Sequence, residues 1–262
     1  MKMHYKEHGD KKAALMLFLH GGGVSGWMWD KQIQSFMHYH CIVPDLAEQG
    51  MSNDGTNFSI KTSAEKLIEL VQEKANGKQV IVIGFSLGAQ VTIQMLSMKP
   101  ELIDYAMINS ALVRPMLWAK KWISPSIKLT FPLIRNQSFS RIQARALYIG
   151  KDNFENYYKE TRQMKSDTLI RILEENMSFE IPDHFHKATG RILVTVGEKE
   201  KGIMKKSAID IVNGNPNSIG MMIPNIGHGL PIANPAFFNQ IIEEWIAEGR
   251  IPEEGKLINR SH

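Results

Sequence analysis

The chain has 262 residues, which suits one large α/β domain or two small ones, and a single core with an inserted lid fits equally well. Hydrophobic residues make up 43% and charged residues 22%, both near the globular averages, which argues against disorder and coiled coil. The 31 basic residues outnumber the 27 acidic ones by only four. That excess is too small to indicate a nucleic-acid partner.

Cysteine usage and the N-terminal residues bear on compartment. The single cysteine, Cys41, excludes an intrachain disulfide, and its apolar neighbours predict a buried thiol rather than a nucleophile. The first residues lack the apolar stretch of a signal peptide, and no window approaches the roughly 18 apolar residues of a membrane span. We therefore expect a cytoplasmic protein without a nucleic-acid or membrane partner.

Short apolar runs along the chain alternate with helical patterns. Nearly continuous apolar runs are typical of parallel strands covered on both faces, and they predict strands at 14–19, 40–43, 80–83 and 191–196, with weaker candidates at 103–108 and 219–223. Helices are predicted at 62–76, ending at Gly77, at 87–98, ending before Pro100, and from Pro235, capped by Asn234 and stopped by Gly249. The alternation indicates a parallel sheet with right-handed crossovers.

The segment 112–187 interrupts this rhythm. It has no clear buried strand, only helix-like stretches at 140–149 and 161–176, and it is rich in Trp, Tyr, Phe and Met. We expect a helical cap at 112–187 over a core formed by 1–111 and 188–262. Most cap aromatics would pack on the core, but a lid also has to line the pocket. We expect Met116, Trp118, Trp122 and Phe131 to line it.

The segment Gly84–Gly88 joins a predicted strand to a predicted helix and carries Ser86 at its centre. A turn this tight forces the central residue into a strained backbone conformation, and the flanking glycines keep Cβ atoms out of the crowded turn. The serine is then held exposed at the carboxyl edge of the sheet, at the N-terminus of a helix. Ser86 is the candidate nucleophile.

A glycine-rich loop, His20–Gly23, ends the first predicted strand. Such a loop can direct backbone N–H groups at a developing oxyanion. We expect the donors to be Gly22 or Gly23 and the residue after the serine, Leu87. His20 is expected to orient the loop rather than to act as a base.

The same loop supports a rival interpretation. Gly21, Gly23 and Gly26 match the dinucleotide-binding fingerprint, and Asp45 closes the next strand at the distance where an acidic residue holds a ribose. This alternative, an NAD-binding Rossmann enzyme, leaves the serine turn unexplained.

A nucleophilic serine needs a base and an orienting carboxylate. His228 directly follows the last predicted strand between small residues, whereas the pair His184 and His186 could bind a metal but lacks a third ligand. Glu200 and Glu198 both follow the strand 191–196, and the order serine, acid, histidine suits a triad on this sheet. We favour Glu200 and keep Glu198 in reserve.

These segments together resemble the α/β-hydrolase superfamily, in particular capped esterases and lyase-like members related to the meta-cleavage-product hydrolases. The resemblance rests on His20–Gly23, Pro44–Leu46, the Ser86 turn, Gly197–Glu200 and Gly227–Gly229. It implies an α/β-hydrolase fold, a mostly parallel twisted sheet with helices on both faces and a helical cap between the sixth and seventh strands. It also implies Ser86 as nucleophile, His228 as base and Glu200 as acid.

Two departures from the family pattern stand out. The acid is Glu rather than the usual Asp, and Ala47–Gly50 stands where the family has Arg-Gly-x-Gly. We expect a serine hydrolase, a monomer or homodimer, that cleaves an ester or a similar activated carbonyl in a small-molecule substrate, with no cofactor or metal. The cap is expected to select small or medium apolar acyl groups. The alternatives are hydrolysis of a carbon–carbon bond in a dienone-type substrate, and a small-molecule receptor or signalling protein on the same fold.

Overall fold

The computed structural model describes residues 3–52 and 55–260, and within these ranges eight strands form one sheet. The strands are β1 Tyr5–Gly9, β2 Leu15–Leu19, β3 His40–Pro44, β4 Val80–Phe85, β5 Tyr105–Asn109, β6 Arg191–Gly197, β7 Ser218–Ile223 and β8 Lys256–Ile258. They lie in the order β1-β3-β2-β4-β5-β6-β7-β8. The inner six are parallel, and β1 and β8 are antiparallel edge strands.

Ten α-helices connect or flank the described strands. They are α1 Asp30–Ser35, α2 Ile60–Ala75, α3 Leu87–Met98, α4 Leu117–Thr130, α5 Gln137–Ala146, α6 Lys151–Gln163, α7 Ser166–Ser178, α8 Gly202–Gly214, α9 Leu230–Ala233 and α10 Pro235–Glu248. Short 3-10 helices cover Gly26–Trp29, Phe131–Arg135 and Asp183–Lys187. None of the helices in the described part of the chain has the length and apolar character that crossing a membrane requires.

All six predicted strands are present, and helix α3 has the predicted bounds. Asn234 accepts a hydrogen bond from the N–H of Phe237 as the cap of α10, and Gly249 ends that helix in the left-handed conformation, as predicted. Strands β1 and β8 were not predicted. Both are short, polar in sequence and partly exposed, so neither produces the apolar run that identifies a buried strand.

The sheet is covered on both faces, which explains the continuous apolar runs. Along β2, Leu15, Leu17 and Leu19 pack into the core that α2 and α3 complete, whereas Met16 and Phe18 face the other layer. There the Phe18 ring lies 5.3 Å from that of Trp29. Cys41 is buried in the same layer, and burial raises its pKa to about 12, in keeping with the predicted inert thiol.

Helices α4–α7 lie in the segment predicted as the cap. They lie between β5 and β6, the fifth and sixth of the described strands. In the numbering of the resembled family these two are the sixth and seventh strands. Helix α7 is joined to the core by polar contacts. Arg171 donates two hydrogen bonds to Glu48, and Glu175 accepts the N–H of Ile60, the first residue of α2.

Candidate active site

Ser86 stands at the turn between β4 and α3 with φ 53° and ψ −111°, a conformation that residues with a side chain rarely adopt. The turn is crowded on both sides. A Cβ on Gly84 would collide with Gly88 and Thr92, and one on Gly88 would collide with the carbonyl oxygens of Leu19 and His20. Only glycine at these two positions lets α3 start so close to β2 and β4.

Three side chains from three strand ends meet at this turn. Nε2 of His228 lies 2.9 Å from Oγ of Ser86, and Nδ1 of His228 lies 2.8 Å from Oε2 of Glu200. The ring of Phe85, next to the serine, lies 5.1 Å from the His228 ring. The arrangement is a serine, an imidazole and a carboxylate joined in series, with the imidazole 40% exposed at its side chain and the carboxylate buried.

Glu200 is held by hydrogen bonds on both oxygens. Its Oε1 accepts from the Ser110 hydroxyl at 2.7 Å and from the N–H of Gly197 at 2.8 Å, while Oε2 faces His228. Burial would raise the pKa of this carboxyl, but the hydrogen bonds from His228, Gly197 and Ser110 outweigh it and hold the pKa below its ordinary value. The side chain is therefore ionised at neutral pH.

Glu198, the reserve candidate, points away from the histidine. Its carboxylate lies 2.8 Å from the Lys256 ammonium and accepts the N–H of Asn225, which lowers its pKa at an exposed position. The structure brings Glu200 to His228 and does not bring Glu198 there.

The glycine-rich loop lies beside the serine, because residues Leu19 and Gly84 are paired in neighbouring parallel strands. A Cβ on Gly22 would lie 3.5 Å from the side chain of Leu87, so these two backbones are adjacent. The N–H of Leu87 belongs to the first turn of α3, where backbone donors lack intrahelical partners. Gly22 and Leu87 remain the candidate oxyanion donors.

The expectation for Gly23 is corrected. Its N–H donates to Oε1 of Gln49 at 2.9 Å and is therefore not free to bind an oxyanion. Gly23 adopts the left-handed conformation, with φ 77°, which glycine reaches without steric cost.

His20 and Asp45 brace the loops under the site. His20 is fully buried, with Nδ1 at 2.7 Å from the Gly21 carbonyl and Nε2 accepting the N–H of Leu46. Burial lowers its pKa, which keeps the ring neutral. Asp45 accepts the N–H groups of Gly26 and Met51 on its two oxygens. The carboxylate that the dinucleotide interpretation needs for a ribose is thus used within the protein.

Two of the four cap side chains expected to line the pocket face solvent. Trp118 and Trp122 are 72% and 68% exposed, because α4 packs inward through Ile123 and turns both indoles to solvent. Met116 and Phe131 are half-buried, and the N–H of Met116 donates to the carbonyl of Met177 on α7. This exposure is at odds with the expectation that Trp118 and Trp122 line the pocket, whereas the expectation for Met116 and Phe131 stays a prediction.

Other residues occupy the positions beside the site. Ile172 of α7 lies 3.3 Å from where a Cβ on Gly22 would stand, and Tyr148 lies against Gly227 and Gly229, on either side of the histidine. Sequence reasoning missed both, since a single apolar position in a cap helix gives no sign of what it faces. Ser110 was also missed, although its place directly after β5, at the carboxyl edge, was a usable signal.

The described residues contain no group of three potential metal ligands. His184 and His186 lie on the 3-10 helix Asp183–Lys187, where Nδ1 of His186 lies 2.6 Å from the Asp183 carbonyl.

Comparison with known proteins decides the family. The model of the α/β hydrolase fold family matches residues 14–235, which contain Ser86, Glu200 and His228. The chain belongs to the α/β hydrolase fold family. This membership overturns the NAD-binding Rossmann alternative and confirms the fold class expected from the sequence.

Curated relatives are similar to this chain over limited stretches. An esterase of Mycobacterium tuberculosis is 34% identical over 94 residues, 35% of this chain and 30% of that protein. A pimeloyl-[acyl-carrier protein] methyl ester esterase of Klebsiella pneumoniae is 25% identical over 159 residues, 59% of each chain. The chain's matches span between 30% and 59% of the length of these curated relatives.

Solved structures share the architecture over almost the whole chain. An esterase from Exiguobacterium antarcticum superimposes with a TM-score of 0.77 at 15% identity, covering 93% of this chain and 95% of that one. MenH from S. aureus gives 0.75 at 15% identity, covering 94% and 98%. At this identity the likeness establishes the fold.

Proposed function

We propose that the protein is a serine hydrolase that cleaves an ester or a similar activated carbonyl through an acyl-enzyme on Ser86. The observation that carries the proposal is the series of two hydrogen bonds from Ser86 through His228 to Glu200. The names of the relatives, several of them esterases, support the ester class.

In the first half-reaction Oγ of Ser86 attacks the carbonyl carbon while Nε2 of His228 takes the hydroxyl proton. The C–O bond to the leaving group then breaks, and His228 gives the proton to the departing alkoxide. In the second half-reaction a water loses its proton to His228 and attacks the acyl carbon. Collapse of that intermediate returns the proton to Oγ and releases the carboxylic acid.

Glu200 fixes the imidazole for both steps. Because its ionised carboxylate accepts a hydrogen bond from Nδ1–H, the lone pair stays on Nε2, toward the serine. The same negative charge stabilises the imidazolium that forms when the serine proton is taken.

The oxyanion would be bound by the N–H groups of Gly22 and Leu87. One such donor typically contributes about 10²–10³ in rate. Ile172 and Phe85 place apolar surface beside the glycine loop and the histidine, which favours an apolar acyl or alkoxy group over a charged one.

The test is covalent labelling with a fluorophosphonate probe together with turnover of p-nitrophenyl esters of two to twelve carbons. Ser86→Ala is expected to remain folded, lose labelling and lose at least about 10³ in turnover. Ser126→Ala, at an exposed position on α4, is the matched control and should label and turn over like the wild type.

Two results would overturn the ester assignment. Turnover of a dienone substrate with no ester turnover would favour carbon–carbon hydrolysis on the same serine. Labelling at Ser86 without turnover of ester, lactone or dienone would favour a receptor role.

A further inference from the structure

The outer surface of the cap has an unusual local charge. Between Asp104 and Asp152 the chain has eight Lys and Arg residues and no Asp or Glu. The rest of the chain therefore carries 23 basic against 27 acidic residues. One of the eight, Arg114, is paired with Asp210, and the other seven are exposed without an acidic partner in the described part of the chain.

Helix α4 adds an exposed apolar stripe to this basic span. Trp118, Trp122 and Leu129 are spaced by four and seven residues, which places them on one face of the helix, and they are 72%, 68% and 80% exposed. The buried residue of the helix, Ile123, lies on a different face. The neighbouring 3-10 helix and α5 contribute further exposed apolar side chains, Leu133 and Ile142.

Lysines border the stripe directly. Lys121 and Lys128 are seven residues apart, so they form a second line on α4 beside the tryptophans, and Lys120 is also exposed. We propose that this cap face, defined by α4 with its exposed Trp, Leu and Lys side chains, docks on an anionic lipid surface. Helices with Trp and Leu on one side and Lys or Arg beside them lie in the plane of a bilayer interface.

The composition of the face separates a lipid surface from other occupants. Tryptophan is enriched at the membrane–water interface, where its apolar ring and N–H group are both satisfied, and lysines there bind anionic headgroups. A second copy of the chain would bring the lysines of α4 against the same lysines in a symmetric interface, which like-charge repulsion disfavours. The cores of protein–protein interfaces are depleted in lysine, which argues against an acidic protein.

The earlier expectation of no membrane partner rested on the lack of a spanning segment. Peripheral docking through an exposed helix face does not need one. The inference is independent of the proposed hydrolase reaction, because it concerns binding and is measured without turnover.

The experiment uses vesicles of phosphatidylcholine with 30% phosphatidylglycerol, and pure phosphatidylcholine vesicles for comparison. We expect flotation of the full chain with the anionic vesicles only, weakened by added salt as charge screening increases. Of the five tryptophans, Trp27, Trp29 and Trp245 are buried, so a blue shift of emission and protection from acrylamide would report on the two in α4.

A charge-reversal double variant and a matched control test the basic part of the face. Lys121→Glu with Lys128→Glu should weaken partitioning by about twenty-fold or more, since each basic residue near an anionic surface contributes about five-fold. The control, Lys12→Glu with Lys99→Glu, makes the same charge change at the opposite edge of the sheet and should bind several-fold more strongly than the cap variant.

The apolar part is tested by Trp118→Ser with Trp122→Ser, which should abolish the blue shift and most of the flotation. Met37→Ser, at an exposed apolar position before β3, is the control and should retain both. Thermal unfolding midpoints verify that each variant is folded.

Three results would overturn the proposal. The first is no flotation with anionic vesicles at low salt. The second is flotation that the α4 variants leave unchanged. The third is protection of the two tryptophans without lipid, through dimerisation or through an added acidic carrier protein, with no vesicle binding; that result would assign the face to a protein partner.

Discussion

The substitution Glu200→Gln tests the proposed triad through its hydrogen-bond geometry. Oε1 of Glu200 accepts from Ser110 and Gly197, and Oε2 faces Nδ1 of His228. A glutamine has only one oxygen. If that oxygen stays with Ser110 and Gly197, the NH₂ group faces Nδ1, the ring proton moves to Nε2, and the imidazole can no longer accept the proton of Ser86.

If the side-chain amide of the introduced glutamine flips, the loss of kcat/KM is the smallest that this geometry allows. Turning the oxygen toward His228 restores the correct tautomer but directs the NH₂ group at the Gly197 N–H. Leaving such a buried donor unpaired costs about 1–3 kcal/mol, which corresponds to about 5- to 150-fold. Loss of the negative charge beside the forming imidazolium adds to this. The amide substitution in a serine-protease triad lowers turnover by about 10⁴. We expect kcat/KM to fall by about 10²–10⁴.

The assay is kcat/KM for a short p-nitrophenyl ester at pH 8, with the enzyme concentration from active-site titration. Glu198→Gln is the matched control, two residues away on the same turn, and its exposed carboxylate contacts Lys256 rather than the histidine. Its kcat/KM should stay within about three-fold of the wild type. A Glu200→Gln enzyme with more than a tenth of wild-type kcat/KM, or a larger loss in Glu198→Gln, would refute the reasoning.

Three further predictions concern the supports of the site. Gln49→Leu removes the acceptor of the Gly23 N–H, so the oxyanion loop loses its anchor and kcat should fall about ten-fold in initial-rate measurements, with KM nearly unchanged. Arg171→Met removes two hydrogen bonds to the Glu48 carboxylate and should loosen the cap by about 1–2 kcal/mol at neutral pH, seen as faster proteolysis within 112–187. Burial would raise the pKa of the Glu48 carboxyl, but its hydrogen bonds, led by those from Arg171, hold that pKa below 4.5. The stability that the ion pair contributes should therefore be lost only as the pH falls below about 4.5, where the unfolding free energies of Arg171→Met and the wild type should converge. Burial raises the pKa of Glu160 despite its hydrogen bonds, so the stability that Glu160 contributes is present at low pH and lost as the pH rises through the folded-state pKa. The Tm of Glu160→Gln minus that of the wild type should therefore increase from pH 4 to pH 8. A constant difference in Tm would contradict this.

Local sterics and apolar patterning made much of the fold predictable. The inner strands are buried on both faces, so each is an apolar run regardless of its neighbours. The turn at Ser86 is equally local, since the glycines at 84 and 88 are required by backbone atoms within a few residues or on the adjacent strand. The order of strands then places His228 at the same edge, because parallel strands end on one side of the sheet.

Tertiary contacts decided what the sequence left open. Glu198 and Glu200 have the same charge and lie on the same turn. They differ only in their tertiary contacts: β8 brings Lys256 to Glu198, whereas Ser110 holds Glu200. The N–H of Gly23 is taken by Gln49, 26 residues away, a pairing that no local pattern encodes.

The segment 112–187 was the least predictable part for a related reason. Helix α4 has apolar side chains on more than one face, so its sequence does not specify which face packs inward. The contact of α4 with α7 and the burial of Ile123 settle that choice and leave Trp118 and Trp122 in solvent. Which face of a helix is buried depends on the free energy gained against the surface that it meets, and that surface exists only in the folded protein.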